Sequence, residues 1–303
     1  MVATRPLTRA DFEAVVALDR RLTGKERRGW FTQRLNAAIR QPARHLQLAA
    51  EGEGGLIGFL LARVVSGEHG RDEALIVLET IGVDASGRHA GLGQHMMAQL
   101  AEAGRTRSLH SIVTQVDWRD HGMTAFLDHA GFALSKTQVV SRAVNRMPLP
   151  ATDEEVEQAP PLVRHLTAAD LPALQRIDQR ITGRDRTAYL SRRVDEALGE
   201  SAISVSLCVE EDGAVVGFVT VRVDFGGYGK VVPGATLDTI GVDPRFAGRG
   251  YARAMLTQLI DNLAAIDVET LETEVAHDDL DLLRFLYRFG FVPAPRLVLE
   301  RRL

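Results

Sequence analysis

Apolar residues in the second half of the chain recur first at helical and then at strand spacing. Leu171, Leu174, Ile177 and Ile181 fall on one helical face behind Thr167 and Asp170, either of which can cap a helix. A break at Thr182-Gly183 precedes a second helical stretch at 189–198. Two β-rich runs, 204–209 and 215–223, flank the turn signal Glu211-Asp212-Gly213, and 236–242 predicts a further strand. Helical spacing returns over 251–263, where Met255, Leu259 and Leu263 share a face. A strand at 270–275, a helix at 280–289 and a last strand at 296–299 complete the half. The order α-α-β-β-β-α-β-α-β predicts the α/β class (α+β, mixed sheet), with helices packed on the faces of the sheet.

The first half carries the same pattern. Thr23-Gly24 recurs as Thr182-Gly183, and Thr80-Ile81-Gly82-Val83-Asp84 recurs as Thr239-Ile240-Gly241-Val242-Asp243, each 159 residues on (239 − 80 = 159). The same offset relates Asp11 to Asp170, Arg27 to Arg186, Gly58 to Gly217, Gly91 to Gly250 and Gly131-Phe132 to Gly290-Phe291. A repeat of this length is a duplicated domain, because solenoid units recur every ~20 to 50 residues. Prolines and acidic residues between the copies resist packing and predict a linker. The expected organisation is a first domain at 1–146, a linker at 147–162 and a second domain at 163–303.

Composition narrows the class of function. A chain of 303 residues suits two cores, and its 45% hydrophobic and 25% charged residues are the balance of a globular protein. A formal net charge of −4 supplies no global field for nucleic acid or an anionic membrane, and the aromatics are too scattered to stack bases. The single cysteine, Cys208, sits in an apolar strand-like run and reads as filling, and the histidines lack metal-ligand spacing. With no apolar run near the ~18 residues of a membrane span, the expected location is the cytoplasm.

Chemistry concentrates where a strand passes through Asp243-Pro244-Arg245-Phe246-Ala247-Gly248-Arg249-Gly250-Tyr251-Ala252 into an amphipathic helix. A glycine-rich loop opening a helix offers free amides and the positive end of the helix dipole to phosphate oxygens. Arg249 or Arg253 can add a charge-assisted contact. The run Ile240 to Pro244 followed by Ala247 to Ala252 resembles the acetyl-CoA motif, Gln/Arg-x-x-Gly-x-Gly/Ala, of the Gcn5-related N-acetyltransferase (GNAT) superfamily. After Val83 the first copy matches it as Arg88-His89-Ala90-Gly91-Leu92-Gly93, whereas the second departs at Ala247. The resemblance spans both halves, making the chain similar to a tandem two-domain member. It implies splayed fourth and fifth strands, pantetheine along the fourth, and a thioester near the backbone of Ile240 to Val242, where an amide stabilises developing oxyanion charge.

The resemblance also implies an acid and a base. Phe285-Leu286-Tyr287-Arg288-Phe289-Gly290-Phe291 is similar to the family's Leu-Tyr-x-x-x-Gly-Phe segment, making Tyr287 the candidate acid that protonates the leaving thiolate. Glu274 on the fifth strand and Asp238 on the fourth are the candidate bases, with Glu274 preferred. The first copy has Glu79 opposite Asp238, but Gln115 for Glu274 and Asp128 for Tyr287. Catalysis is therefore expected in the second domain, the complete motif of the first keeping the opposite assignment open. The repeated segments 23–27 and 182–186 either bind an acidic substrate group through an arginine fork or form a helix cap beside a solvated charge pair. The implied reaction is direct acetyl transfer from acetyl-CoA to a primary amine on a small molecule or a protein, without metal, by a monomer or homodimer. The alternative is a non-catalytic acyl-CoA-binding protein with a regulatory or scaffold role.

Overall fold

The computed structural model describes residues 3–68, 73–88, 91–144, 161–199, 205–224, 228 and 234–303. The first half runs β1 (Ala3–Pro6), α1 (Phe12–Thr23), α2 (Arg28–Arg40), β2 (His45–Gly52), β3 (Gly55–Val65), β4 (Leu75–Val83), α3 (Ala85–Arg88), α4 (Leu92–Thr106), β5 (Ser111–Asp117), α5 (His121–His129), β6 (Ala133–Leu134) and β7 (Thr137–Ala143). The second repeats it as β8 (Leu162–His165), α6 (Leu171–Thr182), α7 (Thr187–Gly199), β9 (Leu207–Glu211), β10 (Ala214–Asp224), β11 (Gly234–Val242), α8 (Tyr251–Ala264), β12 (Thr270–Ala276), α9 (Leu280–Arg288), β13 (Val292–Pro293) and β14 (Arg296–Arg302). Both halves are α/β units built on mixed sheets.

Local chemistry explains the element ends. Thr167 and Asp170 act together at the start of α6: the Thr167 amide and hydroxyl both donate to Asp170 Oδ2 at 2.8 Å. Gly24 and Gly183 end α1 and α6 in the left-handed region at φ +69°, which is why Thr-Gly recurs there. The strand β8, at the end of the expected linker, was too short and too isolated to show in the hydrophobic pattern. The rest of that linker, 147–160, lies outside the described residues.

Each half sandwiches its sheet between two helical layers. Met255, Leu259 and Leu263 of α8 pack with Leu283 and Leu286 of α9 against one face of the second sheet. Leu174 and Ile177 of α6 pack with Tyr189 and Leu190 of α7 against Phe218 and Cys208 on the other. Each such side chain contributes roughly 1.5 to 3 kcal/mol by leaving water. Cys208 is strand filling, its thiol pushed up to about 11 by burial.

The last long strand of each half belongs to the other half's sheet. The sheet orders are β1-β2-β3-β4-β5-β14-β6 and β13-β7-β12-β11-β10-β9-β8. β7 runs antiparallel to β12, from Thr137 opposite Ala276 to Ala143 opposite Thr270, and β14 answers by pairing with β5. The exchanged strands carry core residues with them: Val140 is buried in the second half's core and Leu299 in the first half's. At the axis relating the repeats, Gln115 Nε2 of β5 donates to Oε2 of its counterpart Glu274 on β12 at 3.3 Å.

Candidate active site

The fourth strand of each half is broken by a β-bulge at the position of a candidate carboxylate. Leu61 of β3 lies opposite Thr80 and Ala62 opposite Leu78, leaving Glu79 as the extra residue of β4. In β11, Thr220 faces Thr239 and Val221 faces Leu237, leaving Asp238 as the extra residue. Beside each bulge the sheet splays: among the described residues β4 pairs with β5 only at Ile76 and Val77, and β11 with β12 only from Gly234 to Thr236. Beyond these positions the edge of the fourth strand is released toward the opening, the geometry the sequence resemblance implied.

Both bulge carboxylates are buried and held by arginines. Asp238 accepts from Arg222 Nε and Nη2 at 2.7 and 2.6 Å, and Arg193 Nη1 stands 3.5 Å away. Burial pushes its carboxyl up, but the ion pairs with Arg222 and Arg193 outweigh that and hold it below the usual carboxylate value. Glu79 is paired with Arg63 at 3.0 Å and Arg34 at 3.1 Å. Glu68 joins the two sets, pairing with Arg63 of its own half and with Arg193 and Arg222 of the other. Sequence reasoning missed these arginines, although Arg34 and Arg63 recur at the 159-residue offset as Arg193 and Arg222.

Glu274 sits on the shared axis, accepting from the Thr137 hydroxyl at 2.6 Å as well as from Gln115. It lines a cavity of about 70 Å³ between the halves, with Leu75, Val77, Glu79, Thr236 and Tyr228 among its walls. That volume exceeds the ~10 to 15 Å³ that one water molecule needs.

Tyr287 requires a correction. Two residues separate it from Gly290, whereas the family pattern has three, so the tyrosine position of the pattern is filled by Leu286. Leu286 is fully buried, while Tyr287 lies about 100° round the helix, 43% exposed on a surface groove with Leu280 and Arg284.

The strand-to-helix junctions form open cradles. Gly91 and Gly250 are the N-caps of α4 and α8 in the left-handed region, at φ +69° and +79°, and Gly248 is at φ +78°. A Cβ placed on any of the three would meet nothing within 4 Å. The helical ladders start only when His95 donates to Gly91 O and Ala254 to Gly250 O, so the preceding amides of Leu92 and Gly93, or Tyr251, Ala252 and Arg253, point out of the helix end. This arrangement fits a diphosphate. Gly93 has a different duty, since a Cβ there would come within 2.9 Å of Phe126. Arg249 is paired with Glu211 at 2.9 Å, and the exposed loop carries Ala247. Ile240, Val242 and Val83 are half-buried at the ends of their strands. His89 and Ala90 lie outside the described residues, and Arg88 is described only as the last residue of α3.

The repeated segment after α1 and α6 is a helix cap followed by a buried ion pair, so neither expectation for it holds in full. The Thr23 hydroxyl donates to Asp19 O, and Arg27 turns inward to Asp19. Arg186 likewise faces Asp178, at 3.3 Å. An internal arginine with a carboxylate partner leaves no fork for a substrate acid. Asp19 and Asp178 went unremarked in the sequence, although each is an acidic residue on the apolar face of its helix.

The profile of the acetyltransferase (GNAT) family matches residues 12–132 and again 171–291. Among solved structures, a tandem GNAT protein from the clavulanic acid biosynthesis pathway superposes with a TM-score of 0.68 at 18% identity, covering 100% of this chain and 98% of that one. A GCN5-related N-acetyltransferase from Sphaerobacter thermophilus gives 0.65 at 16%, covering 99% and 95%. The GCN5-related glucosamine N-acetyltransferase region of a fungal multi-domain β-N-acetylglucosaminidase gives 0.70 at 14%, covering 99% of this chain and 38% of that one, so this chain spans under half that protein's length. At these identities the likeness is one of fold. Among the described residues no helix is long and apolar enough to cross a membrane, and no three His, Cys, Asp or Glu side chains gather as a metal-ligand group. Matched in both halves, each with its bulge, splay and glycine-capped helix, the chain belongs to the acetyltransferase (GNAT) family.

Proposed function

We propose that the chain transfers an acetyl group from acetyl-CoA to a primary amine of a small molecule or protein, with the chemistry in the second half. The observation that carries this reading is the junction at Gly250: a left-handed N-cap with open space beside it, at the end of a bulged and splayed strand. Bound there, acetyl-CoA would supply an activated acetyl thioester. The amides of Tyr251, Ala252 and Arg253 would hold its diphosphate, and the β11 backbone released beyond Thr236 would face the thioester oxygen.

The second half is preferred for what flanks its bulge. Tyr189 sets a hydroxyl 2.9 Å from Thr239 Oγ1, where the first half has Trp30. Glu274 faces the cavity and is placed to hold the acceptor's ammonium. Asp238, kept ionised by its arginines, is a poor proton acceptor and serves the shape and charge of the site.

A thiol-release assay over an amine library tests the reading. Amine-dependent release of CoA, lost in Gly250→Val and kept in Gly91→Val, is the expected result. Tight acetyl-CoA binding without turnover would support the second reading, a non-catalytic acyl-CoA-binding protein, which the arginine pairing of both bulge carboxylates favours.

A further inference from the structure

The two halves place the same residues under their bulges in two different states. In the first, Arg27 Nε donates to Asp19 Oδ2 at 3.0 Å, and its Nη2 reaches both Asp19 Oδ1 and, at 3.3 Å, Thr80 Oγ1. One nitrogen thus bridges carboxylate and strand hydroxyl. The rings of Trp30 and Phe31 cover the guanidinium at 5.1 and 5.3 Å, and buried Leu61 completes the apolar surround.

In the second half, Arg186 Nη2 is drawn away to Gly67 O of the first half, at 3.0 Å, and among the described residues one 3.3 Å contact to Asp178 Oδ1 remains. Leu61 is answered by Thr220, and Trp30 by Tyr189. Thr220 lies directly across from Thr239, whose hydroxyl meets that of Tyr189. This strand face looks onto α6: Phe218, two residues before Thr220, packs with Leu174 and Ile177, and a Cβ on Gly241 would strike Ile181. Asp178 Oδ2 and Thr220 Oγ1 find no hydrogen-bond partner among the described residues, although Asp178 is 3% and Thr220 2% exposed. A buried polar atom left in that state costs about 1 to 3 kcal/mol, so its retention calls for something that satisfies it.

We infer that Asp178, Thr220, Thr239 and Tyr189 form a proton-relay site that holds water beneath the β11 bulge and delivers the acceptor's proton to the Asp178 carboxylate. The inference rests on the second half being the catalytic one. An N–H bond of the acceptor ammonium breaks and an O–H bond forms on Asp178. The freed amine forms the C–N bond, its second proton passes to the departing thiolate as the C–S bond breaks, and Asp178 returns its proton to solvent through the same hydroxyls. Burial raises the proton affinity of Asp178 above that of an ordinary aspartate, against the pull of Arg186. Arg186 from the segment after α6 is the charged group acting on it, Tyr189 from α7 is the titratable one in the cluster, and β10 and β11 present hydroxyls.

Two measurements on the full chain test the relay. Carboxyl ¹³C titration, with Asp178→Asn to assign the signal, should show Asp178 titrating above the ~3.9 of an ordinary aspartate; a value at or below it overturns the site. In pH profiles of kcat/KM, Asp178→Asn should lose roughly 10²-fold and flatten the ascending limb without changing acetyl-CoA affinity. Asp178→Glu should restore part of both. Turnover that needs Gly250 but keeps its rate and limb in Asp178→Asn overturns the relay alone. Turnover that survives Gly250→Val overturns the functional reading and the relay together.

Discussion

Asp19 with Arg27, and Asp178 with Arg186, occupy equivalent places in two copies of one fold and do different work. In the first half both carboxylate oxygens are satisfied and the pair fastens α1 to its sheet. In the second, half of the arginine has been reassigned to hold the neighbouring domain, where Arg192 also grips Ser66 O at 2.5 Å and Gly67 lies so close to the Tyr189 ring that a Cβ would stand 2.8 Å from it. One copy holds the ion pair intact, and the other gives part of its arginine to a contact with the first half and leaves a carboxylate with spare capacity.

The largest test of this division is whether either half stands without the other. Because β14 completes the first sheet, truncation after Pro295 should abolish cooperative unfolding of the first half in thermal melts followed by circular dichroism. A first half that still melts cooperatively would show the exchanged strand to be dispensable. Next in size, Arg27→Ala leaves Asp19 buried and alone and should cost about 3 to 5 kcal/mol in urea unfolding. Arg186→Ala, losing one long contact and one carbonyl bond, should cost about 1 to 2 kcal/mol. Equal losses would erase the contrast.

A smaller effect follows from pH. The raised proton affinity of Asp178 means that its contribution to stability is complete below the unfolded value and is lost as pH rises through the folded one. Asp178→Asn should therefore gain on the native chain between acid and neutral pH in denaturant titrations. Asp19→Asn should lose stability at neutral pH, because it breaks the buried pair with Arg27. The smallest expected change is that of Tyr287→Phe, whose hydroxyl stands on the surface: turnover should stay within about twofold of the native chain. A tenfold fall would return the thiolate's acid to α9 and weaken the case drawn from spacing.

Much of the architecture is readable in the sequence. Helical spacing at Leu171, Leu174 and Ile177, glycines at 24 and 183, and one offset running through both halves predicted the layers and the duplication, since burial period and positive φ leave local marks. The cradle at Gly250 was readable for the same reason. Asp238 and Glu79 were found as residues but not as bulged or arginine-bound ones, because a bulge is a property of two strands and leaves no period in either. Tyr287 shows the opposite failure: its chemistry was suggestive, but a one-residue slip turned it from core to solvent.

What the sequence by itself determined is therefore what depends on near neighbours in the chain: the elements, their caps, the glycine-capped helix ends and the repeat. Which strand completes which sheet, which arginine meets which carboxylate, and whether Asp178 keeps a spare oxygen were decided only in three dimensions. The two repeats carry almost the same local signals, so β7 and β14 suit either sheet by pattern. Their exchange, and the diversion of Arg186 to Gly67, are set by how the two packed surfaces meet.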